Sequence, residues 1–332
     1  MLDANRKKSD VSWGVLESAS VCPICAGQLH WECDGIECLN PECRRRFRVL
    51  QGVPVLADEE ACPISFEPDR ASDNKSTAKS LALRWLPSLD LNVVPERVKV
   101  RLHEEVFARS ARPVVLNIGG KHPTSITDQL CTHPDIQAIE CDLAYRPRTR
   151  LLADPSRIPL ADASVDAVLL DALLEHVPDP DAVTREALRV LKPGGVFYAD
   201  TPFMIQVHGG AFDYSRMSLQ AQRWMFRDLE ELESGVSSGP SVALGYSIQY
   251  FMLCFVSSRP SRYAVKAFTR LIFFWLKYFD LLLSQQPAAR DAAAGFYFLG
   301  RKSKTRLTAH DTIALYDGAV PDLYPHRPPV VD

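Results

Sequence analysis

Residues 165–200 read VDAVLLDALLEHVPDPDAVTREALRVLKPGGVFYAD. The opening VDAVLL is short and rich in Val and Leu, the pattern of a buried strand, and Asp171 follows it directly. Asp179 stands before Pro180, and a capping acid with proline in the first turn opens a helix over 180–191. Lys192-Pro193-Gly194-Gly195 is a poor helix continuation and stops it. Val196 to Asp200 then starts another strand. Strand, helix and strand at this spacing make a crossover unit of an α/β fold, with a parallel sheet covered on both faces.

The pattern extends upstream. Val114 to Ile118 reads as a strand ended by Gly119-Gly120, and 124–131 as a helix. Ile136 to Cys141 is another strand, ended by Asp142, and 149–153 a further short one. Residues 81–112 carry apolar residues among charges and predict at least one amphipathic helix. Downstream, Gly295 to Gly300 reads as a late strand, followed by a proline-rich, poorly ordered tail over 304–332.

The chain has 332 residues, 46% hydrophobic and 24% charged, with net charge −3. At roughly 150 residues per domain this suggests about two domains. The balance excludes collagen-like and disordered classes and a wholly basic nucleic-acid binder. The N-terminus holds no apolar stretch of signal length, which points to a reducing, cytoplasmic setting.

Five of the nine cysteines fall between Cys22 and Cys43. Cys22-Pro-Ile-Cys25 is a knuckle whose two thiolates grip one face of a tetrahedral ion, with Gly27 turning the chain behind them. Cys38 and Cys43 supply the second pair, and four thiolates make a closed structural zinc site. Cys33 and His30 stay as alternates, because the second pair is more widely spaced than usual. With Phe47 and Gly52-Val53-Pro54-Val55-Leu56, residues 1–56 resemble the small zinc-ribbon domain of the tRNA-methyltransferase-activator type. Arg44-Arg45-Arg46 and Arg48 lie just beyond the cysteines and offer a nucleic-acid contact. The segment holds seven basic and seven acidic residues, so a solvated charged face is the other reading. Residues 57–112 read as a linker and leading helix, and 113–303 as the large domain.

A glycine-ended strand lets a ligand approach the backbone, and an acid about 20 residues on accepts from ribose hydroxyls. Gly119 to Asp142 has that spacing, and Asp154 stands beyond the third strand. The ordered set Val115-Leu116-Asn117-Ile118-Gly119-Gly120, Asp142, Asp154 to Leu160, Leu174-Glu175-His176-Val177 and Arg189-Val190-Leu191-Lys192-Pro193-Gly194-Gly195 resembles class I S-adenosylmethionine-dependent methyltransferases. The resemblance implies a Rossmann-like, seven-stranded sheet with helices on both faces. It implies Asp142 at the ribose, Asp154 at the adenine, and Gly119 and Gly120 along the methionine moiety; Asn117 and Asp171 join the cofactor set. Asn117 stands where the family carries an acid, and Lys121 and Pro123 where it carries glycines. These departures motivate a catalytically degenerate scaffold as the alternative. The G-x-G-x-x-G turn of a dinucleotide dehydrogenase is absent.

Thr201 to Arg216 follows the fifth strand, where such folds line their sites. His208 is the candidate general base, with Asp213, Tyr214 and Arg216 as orienting groups. The Pro-Phe, Val-His, Asp-Tyr-x-Arg run is similar to one in bacterial methyltransferases of surface-polysaccharide or glycan pathways. In those a second histidine precedes the Asp-Tyr pair, where this chain has Phe212. The resemblance implies a small-molecule or glycan-type acceptor; a nucleic-acid methyltransferase is the third reading. Residues 244–290 form an apolar helical insertion, and within 244–284 large aromatics interleave with Lys266, Arg270 and Lys277. That composition fits buried core, a subunit face, a peripheral membrane contact at the inner face, or a spanning helix.

Overall fold

The computed structural model describes residues 13–62, 85–119 and 126–323. The expected ligand Gly120 and the departures Lys121 and Pro123 lie outside the described residues. A seven-stranded sheet is assembled from β5 (Val114–Ile118), β6 (Gln137–Asp142), β7 (Leu151–Leu152), β8 (Val165–Asp171), β9 (Leu191–Pro202), β10 (Leu229–Ser238) and β11 (Gly295–Lys302). Its order is β10-β11-β9-β8-β5-β6-β7. β5 runs parallel to both β6 and β8, while β10 and β11 are antiparallel, so the sheet is mixed. This is a Rossmann-like fold. The chain divides into two compact units.

The first unit comprises the described residues of Met1–Asp69, His103–Asp171 and Asp179–Phe197. All five residues of β5 are buried, as a central strand with helices on both faces requires. Asp166, buried in β8, accepts the Val114 amide at 2.9 Å and the Lys192 ammonium at 2.8 Å, so it ties two neighbouring segments to one carboxylate. The helix over Pro180–Val190 is capped by Asp179, which accepts from the Ala182 amide, as the sequence implied. Its Arg189 donates to the carbonyls of Ile158 and Leu160, fixing the loop that holds Asp154. The following strand begins at Leu191, not at Val196: the Lys-Pro-Gly-Gly segment ends the helix but is already extended.

The N-terminal segment belongs to this unit too. A short helix, α1 (Val15–Ala19), leads into a four-stranded antiparallel sheet of β1 (Leu29–Glu32), β2 (Gly35–Cys38), β3 (Arg46–Leu50) and β4 (Val53–Pro54). Ile36 pairs with Phe47 across β2 and β3, and both are buried. The chain then runs beside the large sheet. Val55 forms a parallel bridge to Leu152 of β7, and the Leu56 amide donates to the Leu152 carbonyl at 2.9 Å. Val53, Val55, Ala57 and Leu152 share one apolar cluster.

The second unit comprises the described residues of Arg70–Leu102, Ala172–Pro178 and Tyr198–Asp332. The β10–β11 pair is its backbone, with register shifts at Glu231/Glu233 and Val236/Ser238. The sequence reading did not find β10, whose LEELESGVSS carries three glutamates and lacks an apolar alternation. The apolar insertion folds as helices Pro240–Leu253 and Arg259–Phe273, a 3-10 turn Phe274–Phe279, and a short helix Asp280–Leu283. Two buried polar contacts organise it. Asp280 accepts the amides of Ser241 and Val242, capping the first helix, and Gln249 donates to Thr269 at 2.8 Å. Among the described residues no helix is long and apolar enough to cross a membrane. The tail is more ordered than expected up to Leu323. A helix over Ala309–Ala314 starts with a Thr308/Asp311 capping box, and Tyr316 donates to Asp291 at 2.7 Å.

Candidate functional site

Two tight turns carry the cysteines. The Ala26 amide donates to the Cys22 carbonyl, and the Arg44 amide to the Asn40 carbonyl. Ala26 and Arg44 take positive φ, 56° and 47°. The left-handed residue is therefore Ala26, not Gly27. Gly27 is needed for space: a Cβ there would lie 3.2 Å from the Cys25 sulfur and 3.4 Å from that of Cys38. The Cys22 and Cys43 sulfurs are 3.8 Å apart, and those of Cys25 and Cys38 3.5 Å. All four lie within 4.8 Å of one another. Sulfurs about 2.3 Å from a tetrahedral zinc stand about 3.8 Å apart, so the set fits that ion. Cys33 is exposed, and exposed His30 pairs with Glu32 at 3.4 Å; neither belongs to the cluster. Burial pushes the Cys22 thiol up to about 12, while the backbone hydrogen bond from Gly27 lowers Cys25 to about 7. Beside the cluster, Arg45, Arg46 and Arg48 each face carboxylates, at 3.9, 3.6 and 2.8 Å respectively for the nearest pair. Those charges are internally paired on the surface.

The cofactor candidates stand at strand ends of the first unit. Asn117 is buried in β5 and donates to Glu140 at 2.8 Å; its amide oxygen is buried without a partner. Gly119 has φ 85° and donates to the Cys141 carbonyl at 3.2 Å. Asp142, ending β6, accepts from the Ala144 amide and pairs with Arg146 at 2.9 Å. Asp154 caps its own turn, accepting from the Ser156 amide at 2.8 Å and hydroxyl at 2.7 Å. Asp171 accepts from the Thr127 hydroxyl at 2.8 Å. Each acid is thus already held in place by its neighbours.

The acceptor candidates stand in the second unit. Asp213 accepts the amides of His208 and Gly209, and Arg216 pairs with Asp213 while donating to the carbonyls of Ile205 and Gln206. Both side chains are spent on shaping the loop; exposed Tyr214 is the one of the three left for a ligand. The Arg216 guanidinium holds the Asp213 carboxyl well below the usual carboxylate range. The sequence reading supplied one imidazole here; the structure supplies two. His176, from the 3-10 turn Leu174–His176, lies with its ring 4.9 Å from that of His208. Its Nδ1 is 2.7 Å from the Phe212 carbonyl. Beneath both rings is Glu175, 2% exposed, with Oε1 3.7 Å from His176 Nε2 and 3.6 Å from His208 Nε2. That carboxylate raises the pKa of His208 above the ordinary imidazole value. Glu175 and His176 were legible as part of a motif, but only the fold shows that they face His208.

Residues 127–199 match the family model described as a methyltransferase domain. This segment is thus similar to methyltransferase domains. Over 55 residues the chain is 44% identical to a probable S-adenosylmethionine-dependent methyltransferase of Mycolicibacterium smegmatis, covering 17% of this chain and 21% of that one. Over 49 residues it is 49% identical to a ubiquinone/menaquinone biosynthesis C-methyltransferase of Caulobacter sp., covering 15% and 19%. The chain thus spans about a fifth of the length of these curated relatives. A solved geranyl diphosphate C-methyltransferase from Streptomyces coelicolor overlaps 62% of this chain and 76% of its own, with TM-score 0.38 and 10% identity.

Proposed function

We propose that the protein transfers a methyl group from S-adenosylmethionine to a small-molecule or glycan-type acceptor, with a structural zinc held by Cys22, Cys25, Cys38 and Cys43. The observation that carries this reading is the acceptor-side cluster: two imidazoles over one buried carboxylate, in a chain with a methyltransferase domain. S-adenosylmethionine supplies an electrophilic methyl, which leaves its electron pair on sulfur as the acceptor takes it. Asp142 is the residue for the ribose hydroxyls and Asp154 for the adenine amino group, with Asn117, Gly119, Gly120 and Asp171 toward the methionine end. His208, backed by Glu175, takes the acceptor's proton at Nε2. His176 and Tyr214 orient the acceptor. We place the activity in the cytoplasm, with the helical insertion touching the inner face of a membrane.

Isothermal titration of zinc-loaded protein with S-adenosylmethionine and S-adenosylhomocysteine tests the reading. We expect heat from both, and at least a tenfold weaker affinity in Asp142→Ala; folded protein giving no heat with either ligand would sink it. The second reading, a catalytically inactive scaffold, is favoured by one observation: the Asn117 amide is turned to Glu140. It wins if Asp142→Ala leaves the cellular phenotype intact while Cys22→Ser with Cys25→Ser abolishes it.

A further inference from the structure

We propose that Glu175, His176 and His208 form a second metal site, distinct from the cysteine cluster, for a divalent first-row transition ion with positions left open for an acceptor oxygen. The three donor atoms lie within 4.8 Å of one another. The Glu175 carboxylate is the unusual member. Both its oxygens are buried and accept no hydrogen bond. Oε1 faces the two imidazole nitrogens at 3.6 and 3.7 Å, too far for hydrogen bonds. A buried carboxylate without hydrogen bonds is costly unless a cation lies close to it.

The imidazoles are turned for ligation. His176 Nδ1 lies 2.7 Å from the Phe212 carbonyl, and His208 Nδ1 lies 3.3 Å from that of Gln206. A carbonyl accepts only, so His176 Nδ1 carries the proton and its Nε2 presents a lone pair; His208 Nδ1 stands between the Gln206 carbonyl and the Arg216 guanidinium, 3.5 Å away, and leaves its Nε2 facing the carboxylate. Both Nε2 atoms point at the same carboxylate oxygen. Metal-bound histidines commonly have this arrangement, with the distal nitrogen donating to a carbonyl and fixing the tautomer. An ion about 2.1 Å from each donor, in tetrahedral geometry, sets donors about 3.4 Å apart. The two histidine–carboxylate spacings need to close by only a few tenths of an ångström. Two imidazoles and one carboxylate suit Mn²⁺, Fe²⁺, Co²⁺ or Zn²⁺, and three protein donors leave the rest of the coordination sphere open.

The proposal deepens the acceptor-site reading and rests on it only for the ligand in the open positions. With the ion bound, His208 Nε2 is a donor to metal and no longer the base. The ion would then act as a Lewis acid that makes an acceptor hydroxyl easier to ionise, with the proton passing to solvent.

Mn²⁺ is the probe, since a thiolate site holding zinc resists it. Zinc-loaded protein is titrated with Mn²⁺, and free Mn²⁺ is followed by its electron paramagnetic resonance signal. We expect one Mn²⁺ per chain, bound at least tenfold more weakly in both Glu175→Gln and His208→Ala. The second variant alters a side chain that is 41% exposed, so it keeps the test valid if the first misfolds. Cys22→Ser should leave Mn²⁺ uptake unchanged. No uptake at millimolar Mn²⁺, repeated with Co²⁺, overturns the site, as does uptake indifferent to both variants. Because the readout is metal binding, the methyl-transfer reading stands or falls separately, on the cofactor titration.

Discussion

Gly209 has no side chain, and the His176 imidazole sits where one would begin. A Cβ there would lie 2.6 Å from Cε1 and Nδ1 of that ring and 2.7 Å from the Phe212 carbonyl. Gly209→Ala must therefore displace His176 and break its contact with Phe212. We expect turnover to fall on the order of 10–100-fold, the loss that follows when a site group moves by about an ångström. Affinity for S-adenosylhomocysteine should hold, and an equal loss in both would contradict the assignment. Asp213 next door gives a pH signature. Its carboxyl is depressed in the folded protein, first by Arg216, so it adds stability above the unfolded value near 3.8. That stability is lost as the pH falls below about 4. In urea unfolding, wild type should exceed Asp213→Asn at pH 7, and the gap should shrink at pH 3. A constant gap would remove the pairing from the account. At this scale the sequence was uneven. His208 stood out as a candidate because histidine is the one side chain whose ordinary pKa lies near neutrality. Glu175 stood out only as part of a motif, because nothing in Leu-Glu-His-Val tells which of its residues is buried beneath a second loop.

Among the elements, the helical insertion has the plainest surface chemistry. Phe251, Phe255, Leu271, Trp275, Leu281 and Leu282 are all exposed. From Arg259 to Leu283 the chain has five basic residues and one acid, and that acid, Asp280, is buried. Amphipathic helices with aromatic and basic residues lie on anionic bilayers. Co-sedimentation with vesicles containing phosphatidylserine should retain the protein. Retention should drop severalfold for Phe251→Ser with Leu282→Ser, or at high salt. Equal retention on neutral vesicles would contradict an electrostatic contribution. The sequence showed this segment to be apolar, but not which face turns outward. Outward exposure depends on Asp280 capping a helix about 40 residues earlier, a contact with no local signature. By contrast β5, β8 and the helix over Pro180–Val190 were readable, because burial on both faces and an Asp-Pro start leave marks within a few residues. β10 was not: it is an outer strand whose glutamates meet Arg97, Arg223 and Arg301, so it needs no apolar run.

For the molecule as a whole, the four clustered cysteines and strands β5 to β8 share one compact unit. The cysteine turns set the path of β3 and β4, and that path delivers Val55 to β7. If the four sulfurs hold zinc, elemental measurement should give about one zinc per chain in protein with no second ion added. Chelation should then lower the melting temperature of the sheet itself, by several degrees, since each kcal/mol moves a protein of this size by roughly 2–4 °C. A sheet that melts unchanged after complete zinc removal would show that the ribbon is an independent appendage. The sequence showed the four cysteines and the sheet as separate signals. Their union runs through isolated bridges, Ser20 to Leu160 and Val55 to Leu152, and isolated bridges leave no periodic trace.

The Val55 bridge also bears on solubility. β7 is only two residues long and ends the sheet. An uncovered outermost strand exposes free backbone donors and acceptors, a template on which another chain can grow. Val55 and Leu56 take up that position within the same polypeptide. A thiol-oxidising or zinc-poor environment would thus do more than loosen a small appendage. It would uncover an adhesive border on the large sheet and turn a local chemical injury into clumping between neighbouring molecules.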